Sequence, residues 1–509
     1  MKKKYVRWTL WTIASPFILF IILCILIYLP PIQNFLVDKA AVYASEATGM
    51  NISVGRISLS FPLNLVVTNV DAASPHNDTL LSVRRLQVNV QLLPLLKKQV
   101  EVDGISLQGA TVNSNDLIHG MKLNGTLGEL FISSHGVALD PETAIVNKVL
   151  LKDTDLSLCL NDTAAADTAA SDTAYWKIIL QDIDLQNVSF ALDMPLDSLS
   201  LAASLDNAIL RDGLIDLHKS AYSLQTFRIE NGRVRYDNGK PLAADSLSSG
   251  LDPSHIALTD IGVKLDSLYY GGRNMKAIIS QFVLKERSGV EIVSATGRMV
   301  SNDKVLRVPS LKLETRDSYL ELNAAMDWNA LDFKDEGLVS ARLMADIGKP
   351  DVVRFMGSMD EKFIRKYPSE PLRIRTGIDG DLNKLKLTTL TAELPGALEL
   401  FAKGELTSLT DSLLRGGDIT LQAETKDLKF ISTLAEGIEI PYGTRLEGKF
   451  TMAGTKMGTD LLLMQPEAQA VVAADTIPIT VYNDSISVAD DFKMERAARL
   501  FAKYDLSRD

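Results

Sequence analysis

Cysteine is almost missing from this chain: two residues in 509, Cys24 inside an apolar run and Cys159 far from it. That excludes a disulfide framework and fits an oxidising compartment. Histidine is equally sparse. His76, His119, His135, His218 and His255 are the full set, and none stands at metal-ligand spacing from another. HExxH, GxSxG and Walker A patterns are absent, so the residues point to no metal, no cofactor and no catalysis. Positive charge is in deficit, with a net charge of −11. Neutralising phosphates needs a basic surface, so a nucleic-acid partner is excluded. Aromatics are only 6% against 46% hydrophobic residues, which makes the apolar content mostly aliphatic.

One long hydrophobic run is present, and only one. MKKKYVRW leads into an uncharged stretch from Trp8 to Leu29, long enough to cross a bilayer. Lys2, Lys3, Lys4 and Arg7 precede it, which places the amino terminus in the cytoplasm. The expected order is a cytoplasmic tail over 1–7, a transmembrane helix over 8–29 and a juxtamembrane helix over 30–49, stopped by Gly49. Everything beyond would lie on the far side of the membrane.

Helical patterns are otherwise few. Residues 349–368 place Val352, Phe355, Met356, Met359 and Phe363 near one helical face, between Pro350 and Pro368. A helical insertion is therefore expected over 346–368. The tail SVADDFKMERAARLFAKYDLSRD reads as an amphipathic helix. The Ala-, Asp- and Thr-rich segment 161–174 reads as a solvated connection.

The dominant pattern is β, with a phase slip. Leu86, Val88 and Val90 alternate with polar residues; LLPLLKK interrupts, and alternation resumes as Val100, Val102; Ile105, Leu107; Ala110, Val112. The phrase recurs as Ile178, Leu180; Ile183, Leu185; Val188, Phe190, and as Tyr222, Leu224; Phe227, Ile229; Gly232, Val234. Two-pair versions occur at Leu306, Val308; Leu311, Leu313 and at Leu385, Leu387; Leu390, Ala392. One extra residue between apolar pairs is what a β-bulge inserts, and Gly104 is the candidate at the first slip. LLPLLKK, with Pro94 opening it, reads as one helical turn between strands.

One-sided strands must cover their apolar face, and helices are too few to do it. Strand facing strand in a sandwich, a closed barrel, or a long curled half-pipe all satisfy the pattern. Only the last leaves an apolar strip open, and such a strip demands a ligand.

The order of anchor, juxtamembrane helix, TGMNISVGRISLSFPLNLVVTNVDA and NDTLLSVRRLQVNVQLLPLLKKQVEVDGISLQGATVN resembles the amino-terminal region of AsmA-like proteins, in particular the TamB (translocation and assembly module) branch of Bacteroidota. Thr48-Gly49, Val54-Gly55, Phe61-Pro62-Leu63, Asp78 to Leu81, Leu92 to Leu96 and Val102 to Val112 carry the resemblance. It covers residues 1–130 and extends through IGKPDVVRFMG and LPGALELFAKGEL. It fades after about Gly454: the chain ends short of the family's carboxy-terminal region.

The resemblance implies a mainly β fold, with a single transmembrane helix followed by an elongated, curled antiparallel β half-pipe over 50–345 and 369–509. It implies a bacterial inner-membrane protein with its bulk in the periplasm, shielding phospholipid acyl chains in outer-membrane biogenesis. The groove would be lined by Leu86, Val88, Val90, Val100, Val102, Ile105, Leu107, Val112, Ile178, Leu180, Ile183, Leu185, Phe190, Phe227 and Ile229. Leu92, Leu93, Pro94, Leu95 and Leu96 would form the entry turn. Implied partners are phospholipid, the inner membrane and an outer-membrane β-barrel of the BamA/TamA kind. A scaffold for outer-membrane protein assembly and secretion, and an anchored β-sandwich adhesion or signalling module, are the alternatives.

Overall fold

The computed structural model describes residues 39, 41–42, 45–46, 49–60, 64–74, 79–91, 102–114, 121–138, 142–161, 176–240, 250–334, 336–356, 361–433, 442–464, 475–482, 485–488 and 497–505. The chain divides into two units, Met1–Lys240 and Pro241–Asp509. It is mainly β and largely antiparallel, with few short helices among the described residues.

In the first unit Lys39, Ala41, Val42, Ser45 and Glu46 have helical backbone. Gly49 takes φ +69 and donates its N–H to the Ser45 carbonyl at 2.9 Å, a left-handed stop that favours glycine. The strands are β1 (Asn51–Ser60), β2 (Asn64–Ala73), β3 (Thr79–Val90), β4 (Val102–Asn113), β5 (Met121–Ala138) and β6 (Thr143–Leu160). They continue with β7 (Lys177–Met194), β8 (Leu199–Asp216), β9 (Ala221–Leu224) and β10 (Thr226–Asp237). β1 to β6 pair consecutively and antiparallel, and β8 pairs with β7, β9 and β10. β6 and β7 pair in parallel, a departure from the all-antiparallel sheet expected. Alternation alone specifies faces, not strand direction, so the sequence pattern is the same either way.

The central phase slips line up across strands: each lies opposite a slip in its neighbour, so the pairing keeps its register there and no extra residue is inserted. Asn69, Gly109, Asp153, Asn187 and Asn231 each take a left-handed φ between 50° and 62° at the slip of β2, β4, β6, β7 and β10. Asn, Asp and Gly are the residues that tolerate this region. Between Gly109 and Asp153 in the row lies Gly128, where an added Cβ would come within 2.8 Å of the Asp153 side chain and 2.9 Å of its carbonyl oxygen. The first slip of β4 falls at Asp103, beside Gly104, where Asn89 pairs with Gly104 and Val90 with Val102.

The second unit contains β11 (His255–Gly271), β12 (Asn274–Glu286), β13 (Glu291–Ser301), β14 (Val305–Thr315), β15 (Tyr319–Asp327) and β16 (Leu338–Ile347). After these come β17 (Leu372–Asp381), β18 (Lys384–Leu394), β19 (Leu398–Thr407), β20 (Gly416–Thr425), β21 (Arg445–Ala453) and β22 (Lys456–Met464). β11 to β22 form one consecutive antiparallel meander. Register shifts fall between Val308 and Leu311 and between Leu387 and Leu390, the slips read from the sequence.

Short helices α1 (Trp328–Leu331), α2 (Lys349–Phe355) and α3 (Glu361–Lys366) occupy the turns. Pro350 opens α2 as expected, but the insertion is two helices, not one amphipathic rod. The break separates their faces: Phe363 is buried while Phe355 and Met356 are exposed, and Met359 lies outside the described residues. A buried polar knot fastens α2. Asp351, 1% exposed, accepts hydrogen bonds from Thr315 Oγ1, from Ser318 Oγ at 2.6 Å and from Arg354 at 3.0 Å.

Two further expectations are corrected. In place of a helix, Ala497–Asp505 forms β25, antiparallel to β22 and parallel to β23 (Asp475–Tyr482), which also pairs with β24 (Ser485–Val488). Ala498, Leu500, Ala502 and Tyr504 carry a period of two as well as a helical one, and the free edge of β22 selects the strand. For the expected transmembrane helix, no helix among the described residues is long and apolar enough to cross a membrane. Residues 8–29 and the LLPLLKK turn lie outside the described residues.

Candidate functional site

Register converts the apolar pairs into rows. In the first unit Ile57, Val67, Leu86, Leu107, Leu130, Leu151, Leu185, Ala208 and Ile229 lie side by side, one from each successive paired strand. Two residues along each strand, on the same face, runs Leu59, Leu65, Val88, Ile105, Ile132, Val149, Ile183, Leu210 and Phe227. Beyond the line of left-handed residues a third row includes Leu81, Val112, Leu156, Phe190, Ala203 and Val234. Ile178 and Leu180 begin a further set, with Ile215 beside Ile178 and Tyr222 beside Ile215. No polar residue enters the first two rows.

The sequence-predicted residues are thus brought together, with eight exceptions. Val100 and Leu92 to Leu96 lie outside the described residues, and Val90 and Val102 are placed only as backbone register partners. None of the remaining predicted residues is buried. Ile105 is 37% and Phe190 38% exposed, and Leu86, Val88, Leu107, Val112, Ile178, Leu180, Ile183, Leu185, Phe227 and Ile229 are half-buried. Among the described residues of this unit the fully buried apolar ones are Ala72, Leu80, Val83, Ala110 and Ala208, mostly small. A sandwich core would seal its large aliphatic side chains; this face leaves them half open.

Sequence reasoning missed the intervening strands. Leu130 and Ile132, and Val149 and Leu151, repeat the same two-residue spacing and were findable by it. The second unit continues the theme: Val263, Phe282, Ala295, Leu313, Leu320, Ala345, Ile374, Ala392, Leu400, Ala423 and Leu446 form one uninterrupted lateral row.

Here two closed clusters stand on the apolar face, one at each end of the strands. At one end α3 and the 3-10 turn Ile431–Thr433 bring Phe363, Tyr367, Leu428 and Phe430 onto Leu372, Leu394 and Leu398. The three rings meet at centroid distances of 5.2–5.7 Å, and burial pushes the Tyr367 phenol above its ordinary pKa. At the other end Ala330 of α1, Leu382 and Leu409 pack on Met326, Val339, Ile378 and Leu385. By alternation Leu372, Leu394 and Leu398 share the face of Ile374, Ala392 and Leu400. Met326, Val339 and Leu385 share it likewise, so both clusters are walls on the apolar face.

The opposite face is polar and internally paired. Arg211 bridges Asp182 and, at 2.9 Å, Asp184; Asn187 donates to Asp153 at 2.9 Å and Ser189 to Asp155 at 2.8 Å. Asp260 holds the Lys285 ammonium above its usual pKa by a direct hydrogen bond, and Glu399 does the same for Lys426. Among the described residues no group of three His, Cys, Asp or Glu could hold a metal ion. The arrangement offers hydrocarbon-sized apolar surface.

No protein family, curated protein or solved structure matches the chain.

Proposed function

We propose that the curved sheet curls into a half-pipe whose apolar face holds the acyl chains of phospholipid, shielding them from water during transfer in a bacterial cell envelope. The observation that carries this reading is the pair of unbroken apolar rows across the first unit, whose residues other than Ala208 all keep part of their surface exposed. Each methylene withdrawn from water is worth about 0.8 kcal/mol. A two-chain lipid with roughly thirty methylenes therefore faces a barrier on the order of 20 kcal/mol to cross water unaided. A continuous aliphatic surface removes that barrier without chemistry, and the resemblance of residues 48–112 to AsmA-like proteins supports the same role.

The test is photo-crosslinking in cells. A crosslinking side chain at Leu107 or Ile183 captures phospholipid, and one at Gln108 or Asp184 on the opposite face does not. Ile183→Lys, which sets a charge between Val149 and Leu210, abolishes capture at Leu107. Capture of nascent β-barrel protein in place of lipid, or equal capture from both faces, refutes the reading.

A further inference from the structure

Two turns at one end of the second unit's strands hold large apolar side chains out into water, and we propose that they dock this end onto the surface of a phospholipid bilayer. The docking edge lies outside the apolar floor and does not require the floor to hold lipid. Surface turns favour Gly, Asn, Asp and Ser. Between β15 and β16, Leu331 and Phe333 are exposed instead, followed by Leu338 at the start of β16. Between β19 and β20, Leu413 and Leu414 are 77% and 71% exposed.

Phe333 stands there against its own backbone preference. It takes φ +56 at the stop of α1. Its N–H donates to the Ala330 carbonyl at 3.1 Å, and the Lys334 N–H donates to the Asn329 carbonyl at 2.7 Å. This pair of bonds is the helix stop that glycine ordinarily fills, and a bulky residue is an outlier in that region. The ring gains no burial in return, since Phe333 is 72% exposed. A strained residue whose side chain is given to solvent points to a role outside the fold.

Both turns are braced so that these side chains stay outside. Trp328 Nε1 donates to the Asn302 carbonyl at 2.6 Å, and its ring lies 5.2 Å from the Arg273 guanidinium. Gly337 passes so close to α1 that an added Cβ would stand 2.0 Å from the Ala330 nitrogen. Asp411 accepts the Leu413 N–H at 2.8 Å and the Leu414 N–H at 3.2 Å. Ala330 and Leu409 pack into one cluster, so the two turns are held as a single edge.

The shape of that edge selects its occupant. The turns lie four strand spacings apart, about 19 Å. Ala330 packs on the apolar face with Val339, whereas Leu338 points to the opposite face by alternation. The exposed apolar groups therefore come from both sides of the sheet and share only the end of the strands. A bound peptide or helix would follow one face; a plane laid across the strand ends meets them all. The acidic groups of these turns are engaged internally, Asp332 by Arg273 at 2.9 Å and by Lys334 at 3.8 Å, and Asp411 by the turn amides. Docking thus runs on inserted apolar area and not on attraction to anionic lipid.

The experiment uses the full chain in a Cys24→Ser/Cys159→Ser background, with a fluorophore on Leu413→Cys or, at the other end of the strands, on Glu370→Cys. The chain is reconstituted into phosphatidylcholine vesicles whose brominated acyl chains quench on contact. Quenching is expected at 413 and not at 370, and it survives high salt. Phe333→Gly suits the backbone and removes the ring. It should leave stability equal or higher and lower the quenched fraction at 413 by about threefold or more. Ile374→Lys sets a charge on the floor and should leave quenching at 413 intact, which separates bilayer contact from lipid held in the floor. No quenching at 413, equal quenching at 370, or loss of quenching in Ile374→Lys overturns the proposal. Unchanged quenching in Phe333→Gly overturns it as well. Energy transfer between labels at 413 on two copies, persisting without vesicles, overturns it in favour of a second copy of this chain.

Discussion

Replacing phenylalanine by alanine at two places should give two very different costs. Phe363 is 2% exposed in the wall of the second unit, and Phe190 is 38% exposed on the apolar floor of the first. Full burial of a phenylalanine side chain is worth about 1.5–3 kcal/mol. Phe190 realises about three-fifths of that, and its removal leaves no enclosed void because one side is already open. Phe190→Ala should therefore cost ~1–2 kcal/mol. Phe363→Ala loses the whole transfer term and leaves a cavity beside Tyr367 and Phe430, for ~3–5 kcal/mol. The difference of about 2 kcal/mol corresponds to a roughly thirtyfold change in an opening equilibrium. A chain of two units need not unfold in one step, so the assay is amide hydrogen exchange read locally, on β7 and β8 for Phe190 and on β17 to β19 for Phe363. If Phe190→Ala accelerates exchange as strongly as Phe363→Ala does, the floor is a filled core and the open-face argument fails.

Three other outcomes follow from particular contacts. Asp351→Ala strips the acceptor from Thr315, Ser318 and Arg354 in a buried site, and should lower the stability of the second unit by about 3 kcal/mol in urea denaturation. Asn187→Val forces a β-branched residue into a left-handed conformation and removes the bond to Asp153. It should cost ~2 kcal/mol by the same measurement, whereas Asn187→Gly should cost under ~1 kcal/mol. Asp252 has its pKa held below the ordinary 3.8, first by the hydrogen bond with His255 and then by the Ser254 N–H. A depressed carboxylate stabilises the fold fully above pH 3.8 and loses that contribution as pH falls toward its folded-state value. Acid titration of Asp252→Asn should accordingly show a shallower loss of stability below pH 3.8 than the unsubstituted chain; an identical slope would discount the interaction.

The faces were legible because a period of two is a local property. Leu86 and Val88, Ile183 and Leu185, and Phe227 and Ile229 declare a shared face without reference to any other strand. The phase slips were legible for the same reason, as at Asn187 and Asn231, but the expected bulge does not occur there, because each slip faces a slip in its neighbour and the register is kept. Strand direction was not: the parallel pairing of β6 with β7 leaves no trace in either strand's alternation. The carboxy-terminal segment failed differently, because ARLFAKYD satisfies both periods and the edge of β22 decides between them. The walls escaped notice because Phe363, Leu428 and Phe430 come from separated turns and meet only through the fold. Row continuity is also nonlocal; Leu151 beside Leu185 depends on a register that single strands do not encode.

The account stands on a floor that the chain's own side chains do not seal. In a Cys24→Ser/Cys159→Ser background, Ile183→Cys tests it directly through the rate of thiol labelling by a small water-soluble maleimide under native conditions. The account predicts labelling without unfolding, slowed when phospholipid is added and unaffected by it at Asp184→Cys on the opposite face. A thiol at 183 that reacts only at the rate of global unfolding would contradict it.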